Sequence, residues 1–315
     1  MNVLIVGAAG NLGSHLAKYL MSGPHRLRLL THKRPLPFDL PEGSNVEMVH
    51  GDLEARVSLA ESCAHIDCLV YLAGVLFQPR PQTFLHRTNT VYVENIVDAA
   101  LSAGVRKFIL VSFPHVEEHT TPQAPARGSS DVRPTSMHAR TRLEAEKYLF
   151  RACQGRDMAP IVLRAGVIYG RDVKLIDAAH WLMKKRLMAI WRKPTWIHLL
   201  SLPDFLKCVE VSIERENLSG IYNLCDDQPI LLQEFLDRLA VHWGCVRPWR
   251  LPDCGFYLAA VLCEAFATLF RTATPLTRDI VRMGMTSVVA DTSRMKRELL
   301  PKLILPTFVE GLKLF

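Results

Sequence analysis

The chain has 315 residues, of which 49% are hydrophobic, so it is long and apolar enough to bury a large core. Its net charge of +7 would suit nucleic acid, anionic lipid or an anionic substrate as well as a plain solvated surface. No nucleic-acid-binding module is visible, so we expect no nucleic-acid partner. The eight cysteines show no C-x-x-C spacing and no targeting peptide is visible, which together predict a reducing, cytoplasmic location.

The first residues predict a strand, a glycine-rich turn and a helix. Asn2–Val6 is a short apolar run typical of a strand buried on both faces. Residues 7–13 (GAAGNLG) follow directly, and apolar residues then recur at helical spacing. Gly7 would allow the tight turn, Gly10 would let a pyrophosphate approach the backbone, and Gly13 would let helix and strand pack closely. The amides at the helix N-terminus would face the phosphates; the alternative is a turn without ligand.

The end of the second strand bears on which nucleotide binds. Arg26–Thr31 alternates and ends apolar, as a strand does. An acid after such a strand bonds the ribose 2′-hydroxyl and selects NAD, whereas Lys or Arg neutralises a 2′-phosphate. The chain has His32, Lys33 and Arg34 there and no acid. We therefore favour NADP over NAD, with an exposed basic loop as the alternative.

Strand patterns alternate with helical patterns along the chain, which indicates a parallel sheet with right-handed crossovers. Further strands are predicted at 46–50, 68–72, 107–111, 159–164 and 220–224, and helices at 82–103, 137–153 and 233–239. Between 112 and 136 a loop rich in Pro, Ser and Thr follows a strand end, where doubly wound sheets bind ligands. The predicted fold class is α/β: a doubly wound Rossmann sheet at 1–170 and a smaller substrate lobe at 171–315 that returns segments to the sheet.

Two stretches of the second lobe have two interpretations each. Trp181–Trp196 mixes three tryptophans with five cations, and we favour an amphipathic helix with solvated cations over a holder of an anionic substrate. Phe256–Phe270 is apolar except for Glu264 and Thr268. Because this stretch is short for a membrane span, we expect a buried or interfacial helix, with membrane-surface contact as the less favoured alternative.

These motifs resemble the extended short-chain dehydrogenase/reductase superfamily, of the NAD-dependent epimerase/dehydratase type. The glycines of the first turn are spaced three and three. Arg164–Gly170 (RAGVIYG) resembles the family's R-P-x-x-V-Y-G stretch, and Gly220–Leu224 and Asp291–Arg294 resemble its last strand and its closing segment. The resemblance covers most of the chain.

The resemblance implies where the cofactor lies. It places an acid, Asp52, against the adenine, small residues after the fourth strand against the cofactor, and an asparagine, Asn89, near a helix start. The predicted cofactor-binding residues are Gly7, Gly10, Asn11, Leu12, Gly13, His32, Lys33, Arg34, Asp52, Leu53, Leu72, Ala73, Gly74, Asn89, Val111, Arg142, Ala165, Gly166 and Val167.

The resemblance also implies where catalytic residues belong. Redox members use a Tyr with a Lys one helical turn later, and a Ser or Thr from a strand end. Residues 141–147 (TRLEAEK) match the family's S-K-L-x-A-E-K, which places Arg142 at the lysine and His138 at the tyrosine. None of the seven tyrosines has a Lys four residues later, so no shifted copy exists. Ser112 is the candidate hydroxyl, although Phe113 follows it where the family's hydroxyl can also lie.

Two functions follow from this altered pair. In the first, the chain binds NADP with a degenerate dehydrogenase site, since Arg142 cannot shuttle a proton. In the alternative, it is an active NADP-dependent reductase or epimerase on a carbonyl compound or nucleotide sugar, with His138 as acid/base. A small-molecule substrate belongs to the second function, and a homodimer is left open. No metal site is expected, because His115 and His119 lie in a proline-rich loop where helical ligand spacing does not apply.

Overall fold

The computed structural model describes residues 1–41, 43–75, 80–274 and 276–315. The strands are β1 (Asn2–Val6), β2 (Arg26–Thr31), β3 (Val46–His50), β4 (Cys68–Tyr71), β5 (Lys107–Ser112), β6 (Ala159–Ala165), β7 (Val167–Tyr169), β8 (Ala189–Trp191), β9 (Trp196–Ile197), β10 (Leu199–Ser201), β11 (Gly220–Leu224), β12 (Ile230–Leu231) and β13 (Trp249–Leu251). The α-helices are α1 (Asn11–Met21), α2 (Arg56–Cys63), α3 (Tyr92–Ser102), α4 (Met137–Ala152), α5 (Lys174–Lys184), α6 (Leu202–Glu214), α7 (Leu232–His242), α8 (Asp253–Phe270), α9 (Arg278–Gly284), α10 (Ser293–Glu298) and α11 (Phe308–Gly311).

A parallel sheet organises the described chain. Its strands pair in the order β11-β6-β5-β4-β1-β2-β3, and each of these pairings is parallel. The order reverses between β1 and β4, and doubly wound sheets bind ligands beyond the carboxyl ends of the strands at such a reversal. The predicted doubly wound α/β class is confirmed. β11 also shows that a segment after residue 170 returns to the sheet, while the division into two lobes stays a prediction.

The sheet strands are the elements that the sequence predicts best. β1, β2, β3 and β11 begin and end at the predicted residues, and β4, β5 and β6 differ from prediction by one residue at their ends. Parallel strands covered by helices on both faces become short, continuous apolar runs, which stand out from the polar loops around them. β1 and β4 are almost wholly buried, as this rule requires.

The predicted helix over 82–103 is wrong in its first half. A short 3₁₀ turn over Pro81–Thr83 and a π-helical turn over His86–Val91 precede α3. Within the wider turn, Asn89 Nδ2 donates to Thr141 Oγ1 at 3.1 Å, and Thr90 Oγ1 donates to the carbonyl of Thr141 at 3.0 Å. The π turn therefore directs two consecutive polar side chains onto α4, which a regular helix would separate by about 100°.

The predicted amphipathic helix over 181–196 is also wrong beyond its first turn. α5 ends at Lys184, Arg186 adopts a left-handed φ of 60°, and β8 and β9 occupy the rest. Trp191 is buried, and its Nε1 donates to Thr195 Oγ1 at 2.7 Å, which explains why this part leaves the helix. The five cations of the stretch are exposed, in agreement with solvated charge.

Of the two placements predicted for 256–270, buried or interfacial, the structure contradicts burial, and the interfacial placement stays a prediction. α8 runs over Asp253–Phe270, and only Ala260 and Ala267 are buried along it. Leu258 is 62% exposed and Leu269 is 75% exposed. By length and composition alone, α8 is the one helix of the described chain that could cross a membrane. Composition could not distinguish burial from exposure, because nearly every position of α8 is apolar.

A buried carboxyl lies between β11 and β7. Asp226 has no exposed surface, and its Oδ2 accepts a hydrogen bond from the Tyr169 hydroxyl at 3.2 Å. Burial raises the pKa of Asp226 to about 8; the Tyr169 hydrogen bond opposes the rise and the nearby Asp204 adds to it. Asp226 is therefore protonated at neutral pH in the folded chain, whereas an unfolded aspartate ionises near pH 3.9.

We expect Asp226→Asn to stabilise the protein in a pH-dependent way. Because the folded pKa lies above the unfolded one, the free energy of unfolding falls as pH rises from about 4 to about 8. The amide does not titrate, so the variant should match the parent near pH 4 and gain at least about 1 kcal/mol near pH 7.5. Urea melts at both pH values measure this, with the exposed Asp157→Asn as the matched control. An equal effect at both pH values would contradict the protonated state.

Candidate active site

The turn after β1 is built for close backbone approach. Gly7 has a φ of +93°, and the amide of Gly10 donates to the Gly7 carbonyl at 2.8 Å. A Cβ on Gly7 would lie 2.8 Å from the backbone nitrogen of Ala73, at the end of β4. A Cβ on Gly13 would lie 2.2 Å from the Gly7 carbonyl oxygen. Only glycines allow β1, β4 and α1 to meet here.

The N-terminus of α1 faces the reversal point of the sheet without a side-chain cap. Gly10 is the N-cap residue and contributes no side-chain hydrogen bond. The first amides of the helix and the positive end of its dipole are therefore suited to an anion. The Asn11 side chain does not cap the helix, because both of its polar atoms are used in other hydrogen bonds. Its Nδ2 donates to the Asp172 carbonyl at 2.8 Å, and its Oδ1 accepts from the Lys174 amide at 3.0 Å. Asn11 thus fixes the start of α5 against the glycine turn.

The loop after β2 carries exposed cations. His32, Lys33 and Arg34 are exposed, and neither Lys33 nor Arg34 forms an ion pair with any described residue. The His32 ring stacks on His50 from the end of β3, with centroids 5.8 Å apart. The two cations therefore stand in solvent beside the strand ends, with their charge available to an anionic group.

The other predicted cofactor residues follow neighbouring strand ends. Asp52 Oδ1 accepts a hydrogen bond from the Glu54 amide at 3.0 Å, so the Asp52 carboxylate stabilises its own loop.

The remaining predicted residues also lie at strand ends. Leu53 follows Asp52, and Leu72, Ala73 and Gly74 follow β4. Val111 lies at the end of β5, and Ala165, Gly166 and Val167 lie where β6 passes into β7. The structure thus brings these residues to one edge of the sheet, while Asn89 lies in the π turn and donates to Thr141 on α4.

His138 is held by a carboxylate that the sequence did not reveal. Its Nδ1 lies 2.6 Å from Oδ2 of Asp279, and the side chains are 5% and 12% exposed. Asp279 also accepts from the backbone amides of Met137 and His138, at 2.8 and 3.2 Å. Burial raises the pKa of Asp279, but its hydrogen bonds with His138 and the two amides outweigh burial and hold that pKa below its usual value.

The ionised state of Asp279 determines the role of each imidazole nitrogen. A carboxylate can only accept, so Nδ1–H of His138 is the donor of this pair. Nε2 of His138 is buried and has no hydrogen-bond partner among the described residues. A carboxylate-oriented imidazole with its second nitrogen free is the arrangement that general acid/base catalysis uses.

Arg142 lies one turn after His138 on α4 and is also buried. Its Nε and Nη1 have no hydrogen-bond partner within the described part of the chain. Burial lowers the pKa of this guanidinium, and the neighbouring Tyr71 and Glu146 oppose that shift. Nη2 would lie 3.4 Å from a Cβ on Gly74, so the guanidinium reaches the loop that follows β4. Arg142 can therefore donate hydrogen bonds at the edge where the predicted cofactor residues gather.

Ser112 is committed to a buried charge network. Its Oγ donates to Glu146 Oε1 at 2.5 Å. Arg164 pairs with Glu146 at 2.6 Å and with Glu117 at 2.5 Å, and neither Arg164 nor Glu146 is exposed at all. The hydroxyl proton of Ser112 is therefore used in a hydrogen bond within this network, and a catalytic role for Ser112 stays a prediction.

Asp279 is the candidate residue that sequence analysis missed. It is 141 residues from His138, in the first turn of α9 after the N-cap Thr277. A Thr followed by an acid predicts a helix start. No spacing rule links that start to α4, so only the fold brings the two side chains together.

Comparison with known proteins agrees with this architecture. A model of the NAD dependent epimerase/dehydratase family matches residues 3–189. The structure of dTDP-glucose 4,6-dehydratase from Streptomyces venezuelae, with NAD bound, superposes with a TM-score of 0.79. That alignment covers 100% of this chain and 95% of the dehydratase at 16% identity, which shows the fold.

Two relatives cover most of the chain. A ceramide reductase of Caulobacter vibrioides is 26% identical and aligns with 86% of this chain and 80% of its own length. The 4-hydroxy-2-methyl-3-oxo-4-farnesyl-3,4-dihydroquinoline-1-oxide ketoreductase of Stigmatella aurantiaca is 24% identical, over 88% of this chain and 83% of its own length. With more than half of its length matched by the family model, the chain belongs to the NAD-dependent epimerase/dehydratase family.

Proposed function

We propose that the chain is an NADP-dependent reductase of carbonyl compounds in which His138, oriented by Asp279, supplies the proton. The observation that carries this proposal is the 2.6 Å contact between the two side chains, which leaves Nε2 of His138 without a partner among the described residues. The glycine turn and the uncapped start of α1 fit a dinucleotide pyrophosphate. A bound NADPH would supply the hydride for the carbonyl carbon.

In this proposal His138 and Arg142, both on α4, have different roles. His138 as imidazolium donates its Nε2 proton to the carbonyl oxygen while the carbon receives the hydride. Asp279 keeps the ring oriented and stabilises its positive charge. Arg142 replaces the family's lysine as a hydrogen-bond donor toward the nucleotide ribose and takes no proton. Ser112 has no part in it, because its hydroxyl is bonded to Glu146.

The preference for NADP rests on Lys33 and Arg34. These exposed cations stand beyond β2, where an NAD-selecting acid is absent from the sequence. A 2′-phosphate carries charge that two cations can neutralise through charge-assisted hydrogen bonds. The same loop gives the 2′-hydroxyl of NAD no carboxylate to bond.

The substrate class we propose is a ketone on a lipophilic molecule. Two relatives that cover most of the chain are named as reductases, one of ceramide and one of a farnesyl-bearing quinoline oxide.

The location we propose is a reducing, cytoplasmic one. All eight cysteines are free thiols, which supports this setting for the reaction.

The second candidate function is nucleotide binding without turnover. The Ser112 hydroxyl is not available, and imidazole reaches less far from Cβ than a phenol. Nε2 of His138 is also buried, so a substrate needs a path to it. This function shares the nucleotide site with the first, so activity rather than binding separates the two.

Gly10→Asp should abolish nucleotide binding while the fold is kept. Its φ of −77° suits any residue, and an added Cβ would lie 3.0 Å from the Gly7 carbonyl oxygen, so the turn must shift by a few tenths of an ångström. The carboxylate would crowd and repel the pyrophosphate. Isothermal titration calorimetry with NADPH, alongside a thermal melt, separates lost binding from lost folding. Gly255→Asp is the matched control, because a Cβ at Gly255 meets no atom within 4 Å. Parental affinity in Gly10→Asp would show that the phosphate site is misplaced.

Replacing Lys33 and Arg34 together by Ala should weaken NADPH much more than NADH. Each charge-assisted bond to phosphate is worth about 1.5–3 kcal/mol, so we expect a loss of about tenfold or more for NADPH. Fluorescence titration of both nucleotides measures the ratio. The pair Lys184→Ala and Lys185→Ala removes the same charge from an exposed site and should leave the ratio unchanged. Equal losses for both nucleotides would mean that the loop does not recognise the 2′ position.

His138→Ala should lower kcat for NADPH-dependent reduction of long-chain ketones by about 10²–10⁴-fold and keep NADPH affinity, as loss of a general acid does. Asp279→Asn should lower kcat less, because the amide keeps a hydrogen-bond acceptor beside Nδ1 but carries no charge. The exposed His86→Ala is the control. Turnover that survives in His138→Ala would exclude this proton donor. Absent turnover in a wild type that binds NADPH would favour the second function.

A further inference from the structure

α8 presents an apolar face to solvent from Leu258 to its last residue, Phe270. Relative to Leu258, the members of this face fall at the third, fourth, eighth, eleventh and twelfth following positions, which lie on one side of a helix. They are Leu258, Val261, Leu262, Phe266, Leu269 and Phe270, each between 44% and 75% exposed. Contiguous apolar surface of this kind marks a contact with another hydrophobic phase or molecule.

Exposed cations lie near both ends of this apolar face. The helix itself contains only two acids, Asp253 and Glu264. Glu264 is neutralised by Arg278, whose backbone amide and Nε donate to the carboxylate at 2.7 and 2.8 Å. Exposed Arg271 follows the last turn of α8. At the other end, Arg192 hydrogen bonds to the carbonyl of Leu251 just before the helix, and its neighbour Lys193 is exposed.

The fold holds both ends of α8 on the protein surface. Before the helix, β13 pairs with β8, and Phe256 in the first turns packs edge-on against the Trp191 ring at 5.5 Å. After α8, the ion pair between Arg278 and Glu264 holds α9 against α8. A helix anchored at both ends lies along a surface. An apolar face framed by cations matches the boundary of a bilayer that contains anionic lipid, where acyl chains lie beneath negative headgroups.

We propose that α8 docks flat on an anionic lipid bilayer through this apolar face, with the flanking cations on the headgroups. The C-terminal half of α8 also forms one wall of a cleft of about 410 Å³, whose opposite wall includes Arg80 and Phe84. Arg278, which donates to Glu264 of α8, directly precedes Asp279, the residue that binds His138. Docking would thus present the cleft to lipid.

Vesicle flotation of the full chain tests the docking without any need for turnover. The wild type should float with phosphatidylcholine vesicles that contain phosphatidylglycerol, and at least tenfold less with phosphatidylcholine alone. High salt should weaken the binding, since it screens the cations. Leu258→Glu with Leu262→Glu should reduce flotation at least tenfold. Leu269→Ser provides a milder second variant on the same face, and thermal melts check that each variant is folded.

Val57→Glu with Val241→Glu is the matched control, because both valines are exposed apolar residues away from α8, and this variant should float like the wild type. A wild type that does not float would overturn the proposal, as would unchanged flotation of the Leu258/Leu262 variant. Sedimentation is run in parallel: a self-association that this variant breaks, without vesicle binding, would assign the face to a second copy. Reduction of a short, water-soluble ketone should be unchanged in the variant, so failure of docking and failure of the reductase proposal can be told apart.

Discussion

The buried ion network of Arg164 determines where α4 lies. Arg164 projects from β6 and pairs with Glu146 of α4 and with Glu117 of the loop after β5, and Ser112 donates to the same Glu146. Removing one partner would leave an unpaired buried charge, which costs several kcal/mol, about 3–5 in measured cases. The network therefore binds the helix that carries the candidate active-site residues to two neighbouring strands. The Ser112 hydroxyl takes part in the same network through its hydrogen bond to Glu146.

The π turn fixes α4 from the other side. Asn89 and Thr90 both contact Thr141, one turn after His138, and the unusual turn is what allows consecutive residues to reach the same neighbour. A side chain used for proton transfer must be placed within a few tenths of an ångström, which requires support of this kind. Asp279 completes the support from α9, so His138 is fixed by parts of the chain far apart in sequence.

The C-terminal part of the chain links this site to the surface. Adjacent residues of α9 contact different helices: Asp279 binds His138 on α4, and Arg278 binds Glu264 on α8. A helix whose exposed side is apolar costs solubility unless something covers it, and the surrounding cations suit an anionic partner. The proposed lipophilic ketone and the proposed bilayer contact are thus compatible with each other, and each has its own test.

The sequence alone determined the parallel sheet and the glycine turn after β1, because both depend on local features. Apolar runs define β1 and β11, and Gly7 and Gly13 occupy positions where a Cβ would strike the backbone. It also placed His138 and Arg142 on one helix, since helical spacing is periodic. Only the tertiary structure could decide the π turn, the exposure of α8 and the pairing of His138 with Asp279. Each of these depends on which residues from a distant part of the chain pack against a segment, and the sequence of the segment itself does not indicate those residues.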